Sequence, residues 1–239
     1  MLKAAFENNG RASGNTGWTD AAVKDPASLD MPALASLKNV LFFLSLAFRY
    51  PRESVYAELG RLLPVFEDFF KAYAGNVPEL PNLEELQAEY IRLFVNSWGR
   101  LPAVPYASFY LDGGVLMGES YHKLCQIMGR TGFVLDESAG ELEDHLAILL
   151  EYGSVLAGRL MEAPVPGGSS LEDIPNVLDE VLFRYLRPMV KPILDGISAS
   201  TSIVFYTALA RTLFNFLSDA EAIYTHIFGV SAVEDLKQE

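Results

Sequence analysis

The chain has 239 residues, half of them apolar, one cysteine, and a net charge of −13 from 18 basic and 31 acidic side chains. Length and apolar content suit one large domain or two small ones and exclude a disordered chain, while the lone Cys125 excludes a disulfide framework or multi-cysteine metal centre. Such acidity repels nucleic acid and anionic lipid, which demand clustered Lys and Arg, and either serves solubility alone or attracts a basic peptide or protein.

Leu and Ala number 34 and 25, against 17 Val and 9 Ile, so strong helix formers outnumber strand formers and the expected fold is all-α. Residues 1–30 lack the apolar core and cleavage site of an export signal. Gly10, Gly14, Gly17 and their Asn and Ser neighbours predict a mobile leader there. A single helical domain of roughly nine to eleven helices then occupies 31–239.

Met31 to Tyr50 predicts the first helix, stopped by Pro51, and Arg52 to Leu63 the second. Pro64 suits the first turn of a third, with Phe66, Phe69, Phe70 and Tyr73 at helical spacing. Asn82 caps a fourth, whose stripe is Leu83, Leu86, Tyr90, Leu93 and Phe94. The apolar stretches Val40–Phe48 and Ile203–Leu217 are shorter than the roughly 20 residues of a membrane span. We therefore expect core helices, no stable membrane insertion and a cytoplasmic protein.

Ser97 to Met117 reads as a long loop, because Gly99, Pro102, Pro105, Gly113 and Gly114 suit no helix interior. It also carries Trp98, Tyr106, Phe109 and Tyr110, and long aromatic loops inside compact domains are usually functional. Beyond it, helices are predicted at Ser120–Gly129, Ser138–Met161 and Leu171–Leu186. Pro188 and Pro192 break the chain into turns, followed by helices from Ser200 or Thr201 to Leu217 and from Asp219 to Phe228.

Little of this is catalytic. Glu119 and His122 form one Glu-x-x-His pair without the second copy a di-metal bundle needs. Gly113, Gly114 and Gly118 lack the context and Lys of a phosphate loop, and nothing supplies a nucleophile with an oxyanion hole. From these residues we expect no hydrolytic site, metal or cofactor. The notable polar pair is Asp144-His145, placed at the start of the long helix behind Glu141 and Glu143. It is either a solvated first turn favoured by the helix dipole or a carboxylate and imidazole facing a groove that receives arginine.

Tyr90-x-Arg92-Leu93-Phe94, Pro105-Tyr106-x-Ser108-x-Tyr110-Leu111-Asp112-Gly113-Gly114 and Met117-Gly118 together resemble the central signature of the TorD/DmsD/NarJ family. Glu141-Leu142-Glu143-Asp144-His145 with Leu150-Glu151-Tyr152 resembles its second signature, with Leu142 in place of the usual Pro and Tyr152 of the usual Phe. Phe183-x-Tyr185-Leu186-x-Pro188 and Ser200–Leu217 resemble its C-terminal helices, so the likeness spans about residues 34–228. These are cytoplasmic assembly chaperones of molybdenum enzymes of the dimethyl-sulfoxide-reductase class. The resemblance implies an all-helical domain without enzymatic activity, monomeric or dimeric, that binds the catalytic subunit of a molybdopterin reductase or its twin-arginine leader. It implies peptide contacts from Trp98, Tyr106, Ser108, Tyr110, Asp112, Glu141, Asp144 and His145. For Tyr106, Ser108, Tyr110 and Asp112 an equal alternative is that they pin the loop, with Asp112-Gly113 making a turn. The competing readings of the whole chain are a helical accessory subunit retained in a finished respiratory complex and an enzyme or metalloprotein using Glu119, His122 and His145.

Overall fold

The computed structural model describes residues 2–4, 29–97, 100–136, 139–162 and 174–228, with the backbone alone described at 2–4. Most of the expected leader and Trp98 lie outside the described residues. Helices α1 (Met31–Ala47), α2 (Glu53–Leu62), α3 (Glu67–Ala74) and α4 (Leu83–Tyr90) form the first half. Helices α5 (Ala107–Leu111), α6 (Glu119–Arg130), α7 (Leu146–Leu160), α8 (Ile174–Asp179), α9 (Arg187–Ser200) and α10 (Val204–Phe228) complete the fold.

Local chemistry sets the starts of these helices. The Asp30 carboxylate accepts the Ala33 amide at 3.0 Å, with Pro32 in the first turn, so α1 is capped and pre-organised. Asp30 and the buried Leu29 therefore belong to the folded domain rather than to the leader. Asn82 caps α4 by accepting the Glu85 amide at 3.0 Å, as its sequence predicts.

The core is one cluster in which α1 lies along α7, and α10 packs on α3 and α9. Phe43 of α1 stacks on Phe66 at 4.3 Å, while Phe216 of α10 meets Phe69 and Tyr73 edge-on. Arg49, just past α1, reaches Glu151 of α7 at 2.5 Å and ties the two ends together.

Four expectations are corrected. The chain from Ile174 runs through a π-helical turn, Glu180–Leu186, directly into α9, so Pro188 and Pro192 do not end a helix. Pro188 lies at the second position of α9, directly behind the π-helical segment, and Pro192 lies inside α9. α10 is a single 25-residue helix that runs on past Asp219, with the Ser218 hydroxyl bonded back to the Phe214 carbonyl at 2.8 Å. A five-residue helix, α5, forms inside the predicted loop. Finally, strands β1 (Leu2–Ala4) and β2 (Phe133–Leu135) pair antiparallel, although no strand is expected from the sequence pattern.

The loop that leads to α5 is pressed onto the core. The Ala103 amide donates to the Leu93 carbonyl at 3.1 Å. At Gly196 of α9 a Cβ would stand 1.8 Å from the Pro102 carbonyl oxygen, so only glycine admits the loop there.

Candidate functional site

Two segments distant in sequence meet at the site. Residues 105–107 run antiparallel to 144–146: the Leu146 amide donates to the Pro105 carbonyl at 2.7 Å, and the Ala107 amide to the Asp144 carbonyl at 3.0 Å. The Asp144 carboxylate then accepts the Ser108 amide at 2.8 Å. In turn the Ser108 hydroxyl accepts the Met117 amide at 3.2 Å. One buried carboxylate thereby fixes the start of α5 and, through Ser108, the turn beyond it.

Sequence places Asp144 and His145 in the first turn of a long helix. The structure starts α7 only at Leu146, and His145 is its cap: Nδ1 accepts the Ala147 amide at 3.1 Å. The capping bond makes Nε2 the protonated nitrogen of the neutral ring. Both residues are buried, Asp144 completely and His145 with 2% exposure. Burial, helped by the nearby Arg49 charge, pulls the His145 pKa down to about 3, so the ring is neutral at physiological pH. Burial pushes the Asp144 carboxyl above the usual range, against the Ser108 hydroxyl and amide, which favour its charged form. The pair forms a buried clamp between loop and helix.

Tyr106 stands over this clamp. Its ring meets His145 edge-on at 5.3 Å, and its hydroxyl donates to Glu141 Oε2 at 2.9 Å. The same oxygen lies 3.9 Å from His145 Nε2. Burial raises the Glu141 pKa, opposed by the Tyr106 hydrogen bond. Tyr106, Leu135, Asp136, Gly140, Glu141, Leu142 and Glu143 line a cleft of about 300 Å³. Tyr121 donates to Glu143 at 2.6 Å and holds one acidic wall. Three carboxylates beside an aromatic ring and two leucines make a receptacle for a cation carried on an apolar segment.

The other sequence candidates are engaged within the fold. Tyr110 donates to the Val104 carbonyl at 2.8 Å, and burial pushes its phenol up to about 12. Asp112 accepts both the amide and the hydroxyl of Ser120, the latter at 2.6 Å, which caps the start of α6. At Gly118 a Cβ would lie 2.4 Å from the Asp112 carboxylate, so glycine is required for this approach. Glu119 is paired with Lys123 at 2.7 Å, and among the described residues no three His, Cys, Asp or Glu side chains are grouped to hold a metal ion. The Cys125 thiol is half-buried and its pKa is raised by that burial.

Sequence reasoning missed Leu135, Asp136 and Glu143 as cleft residues. The available signal was the acidic density between Asp136 and Asp144, which also holds Glu137, Glu141 and Glu143. The partnership of Arg49 with Glu151 gave no signal, because it joins positions 102 apart.

A family model described as nitrate reductase delta subunit matches residues 51–193, a span that contains the loop, the cleft and α7. The chain belongs to this delta subunit family. Among its relatives is the chaperone protein TorD of Vibrio cholerae serotype O1, 26% identical over 144 residues, covering 60% of this chain and 64% of that protein. TorD of Vibrio vulnificus is 33% identical over 97 residues, 40% of this chain and 45% of that one. TorD of Shewanella pealeana is 28% identical over 148 residues, 58% and 61% respectively. This delta subunit homologue thus matches less than two thirds of each of these relatives' lengths. The crystal structure of a protein described as a redox enzyme maturation protein from Archaeoglobus fulgidus shares the fold. Its TM-score is 0.51 at 21% identity, covering 76% of this chain and 93% of that one.

Proposed function

We propose that this protein is a non-catalytic assembly chaperone, acting in the cytoplasm on the catalytic subunit of a molybdopterin-containing reductase, and that it takes the subunit's twin-arginine leader. The observation that carries this reading is the cleft between β2 and α7, where Asp136, Glu141 and Glu143 meet Tyr106, Leu135 and Leu142. A guanidinium forms charge-assisted, often bidentate hydrogen bonds with carboxylates, and an adjoining apolar stretch covers Tyr106 and the leucines. The net charge of −13 speeds encounter with a basic leader and disfavours acidic competitors. Family membership and the TorD relatives support the same role.

The proposed roles of the remaining site residues follow from their contacts. Asp144, His145, Ser108, Tyr110 and Asp112 hold the loop in shape, and Tyr106 and Glu141 present the surface that touches the peptide. Tagged full-length protein purified from its native cells under anaerobic growth tests the role. Mass spectrometry should find the precursor of a molybdenum reductase subunit bound; absence of any such subunit contradicts the proposal.

Membership of the nitrate reductase delta subunit family favours one alternative, an accessory subunit retained in the mature complex. Size-exclusion chromatography of the mature reductase separates the two: a chaperone is absent from the finished enzyme, and a retained subunit co-elutes with it.

A further inference from the structure

Strand β2 leads straight into the cleft, since Leu135 and Asp136 line it. Its side chains alternate as a half-buried strand requires: Phe133 is buried, Val134 is exposed and Leu135 is intermediate. Phe133 packs edge-on against Tyr152 of α7 and lies beneath the Arg159 guanidinium, 3.9 Å from the ring centre. One face of β2 is thereby anchored to the core, which holds its edge ready for a partner strand.

That partner is the chain's own beginning. β1 pairs antiparallel with β2 in the register Leu2↔Leu135, Lys3↔Val134 and Ala4↔Phe133. A three-residue strand is too short to be stable alone, and residues 5–28 join it to the domain. It is held as a tethered ligand, through an effective concentration rather than intrinsic affinity.

We propose that the edge of β2 is a strand-docking surface for the client's leader and that β1 is its resident occupant, an inference that rests on the chaperone reading above. The register determines what kind of segment fits. Any strand that replaces β1 in the same direction runs, toward its own N-terminus, past Leu135 and alongside Asp136. Residues just ahead of the pairing triplet therefore arrive at the cleft bounded by Asp136, Glu141 and Glu143. The fitting chemistry is a pair of basic residues followed by an apolar run able to extend. Main-chain bonds to β2 then supply affinity independent of sequence, and the cleft supplies selection for cations. Because β1 must leave first, the apparent affinity is lowered by the fraction of molecules in which the edge is open.

The test uses the full chain and a synthetic leader peptide carrying Arg-Arg ahead of an apolar run, with affinity read by fluorescence anisotropy. Adjacent strand residues point their N–H groups to opposite sides, so the double variant Leu2→Pro/Lys3→Pro removes whichever of the two amides faces β2, and a second variant lacks residues 2–4 altogether. Both variants should bind the peptide more tightly than wild type, by about 3- to 10-fold. In the double variant, hydrogen exchange at residues 133–135 should be fast without peptide and slow with it. Unchanged or weakened affinity in the two variants, or no peptide-dependent protection of 133–135, overturns strand docking while leaving the chaperone reading intact. Failure of wild type and both variants to bind either the peptide or the catalytic subunit overturns both.

Discussion

The Asp144 carboxylate accepts the Ser108 amide proton at 2.8 Å, joining positions 36 residues apart in a site with no exposure to solvent. Its second oxygen, Oδ1, is buried without a hydrogen-bond donor. The carboxylate therefore bears a desolvation cost that the Ser108 hydroxyl and amide only partly offset.

Replacing Asp144 separates charge from clamp. Asp144→Asn keeps an acceptor for Ser108 and removes the buried charge, so stability should change little at acid pH and rise at neutral pH. Asp144→Ala leaves the Ser108 amide unpaired and should cost about 1 to 3 kcal/mol in urea unfolding. The sign of the pH effect follows from the raised pKa of Asp144. A folded-state pKa above the unfolded value gives stability that is present at acid pH and lost as pH rises through the folded value. The stability of wild type relative to Asp144→Asn should accordingly fall from acid toward neutral pH; a constant difference contradicts this assignment.

His145 acts in the opposite direction. Its folded pKa of about 3 lies below the ordinary value of 6.5. The neutral ring contributes stability above pH 6.5 that is lost as pH falls, at about 1.4 kcal/mol per unit between those limits. Imidazole NMR should show one of the three histidines untitrated down to pH 4, and that signal should vanish in His145→Ala. The same variant loses the α7 cap and should be destabilised by about 1 to 2 kcal/mol, most of which His145→Asn should restore.

The loop's seat on α9 is tested by Gly196→Ala. The added Cβ meets the Pro102 carbonyl at 1.8 Å, a contact with backbone that no rotamer relieves. Overpacking of this kind should cost about 3 kcal/mol or more and lower the melting temperature by several degrees. Gly75→Asn, at a left-handed helix end with open space, should cost much less.

What could be read from sequence was local. Asn82 announced its helix because an N-cap acts on its own next turn, and the Phe66–Tyr73 periodicity was legible for the same reason. Pro188 misled because proline is a breaker in a helix interior, yet here it lies directly behind a π-helical segment and the helix runs on. Asp144 and His145 stand out in the sequence as a polar pair between acidic residues and the apolar run Leu146–Leu150. Their burial was illegible, because the loop that covers them comes from residues 105–108 and is paired to them by backbone atoms that carry no sequence signature. The cleft was missed for a similar reason: Leu135 and Asp136 reach it from β2, and β2 is completed by Leu2–Ala4.

The acidic cleft is the centre of the functional account, and one calorimetric titration tests it most directly. Wild type and Glu141→Gln/Glu143→Gln are each titrated at low salt with leader peptides carrying Arg-Arg or Lys-Lys. Partly exposed pairs are worth up to about 1 kcal/mol each, so the double variant should bind the Arg-Arg peptide about tenfold more weakly. Wild type should prefer Arg-Arg to Lys-Lys, because a planar guanidinium engages carboxylates bidentately and an ammonium does not. Equal affinity of wild type and double variant for the Arg-Arg peptide would contradict the account.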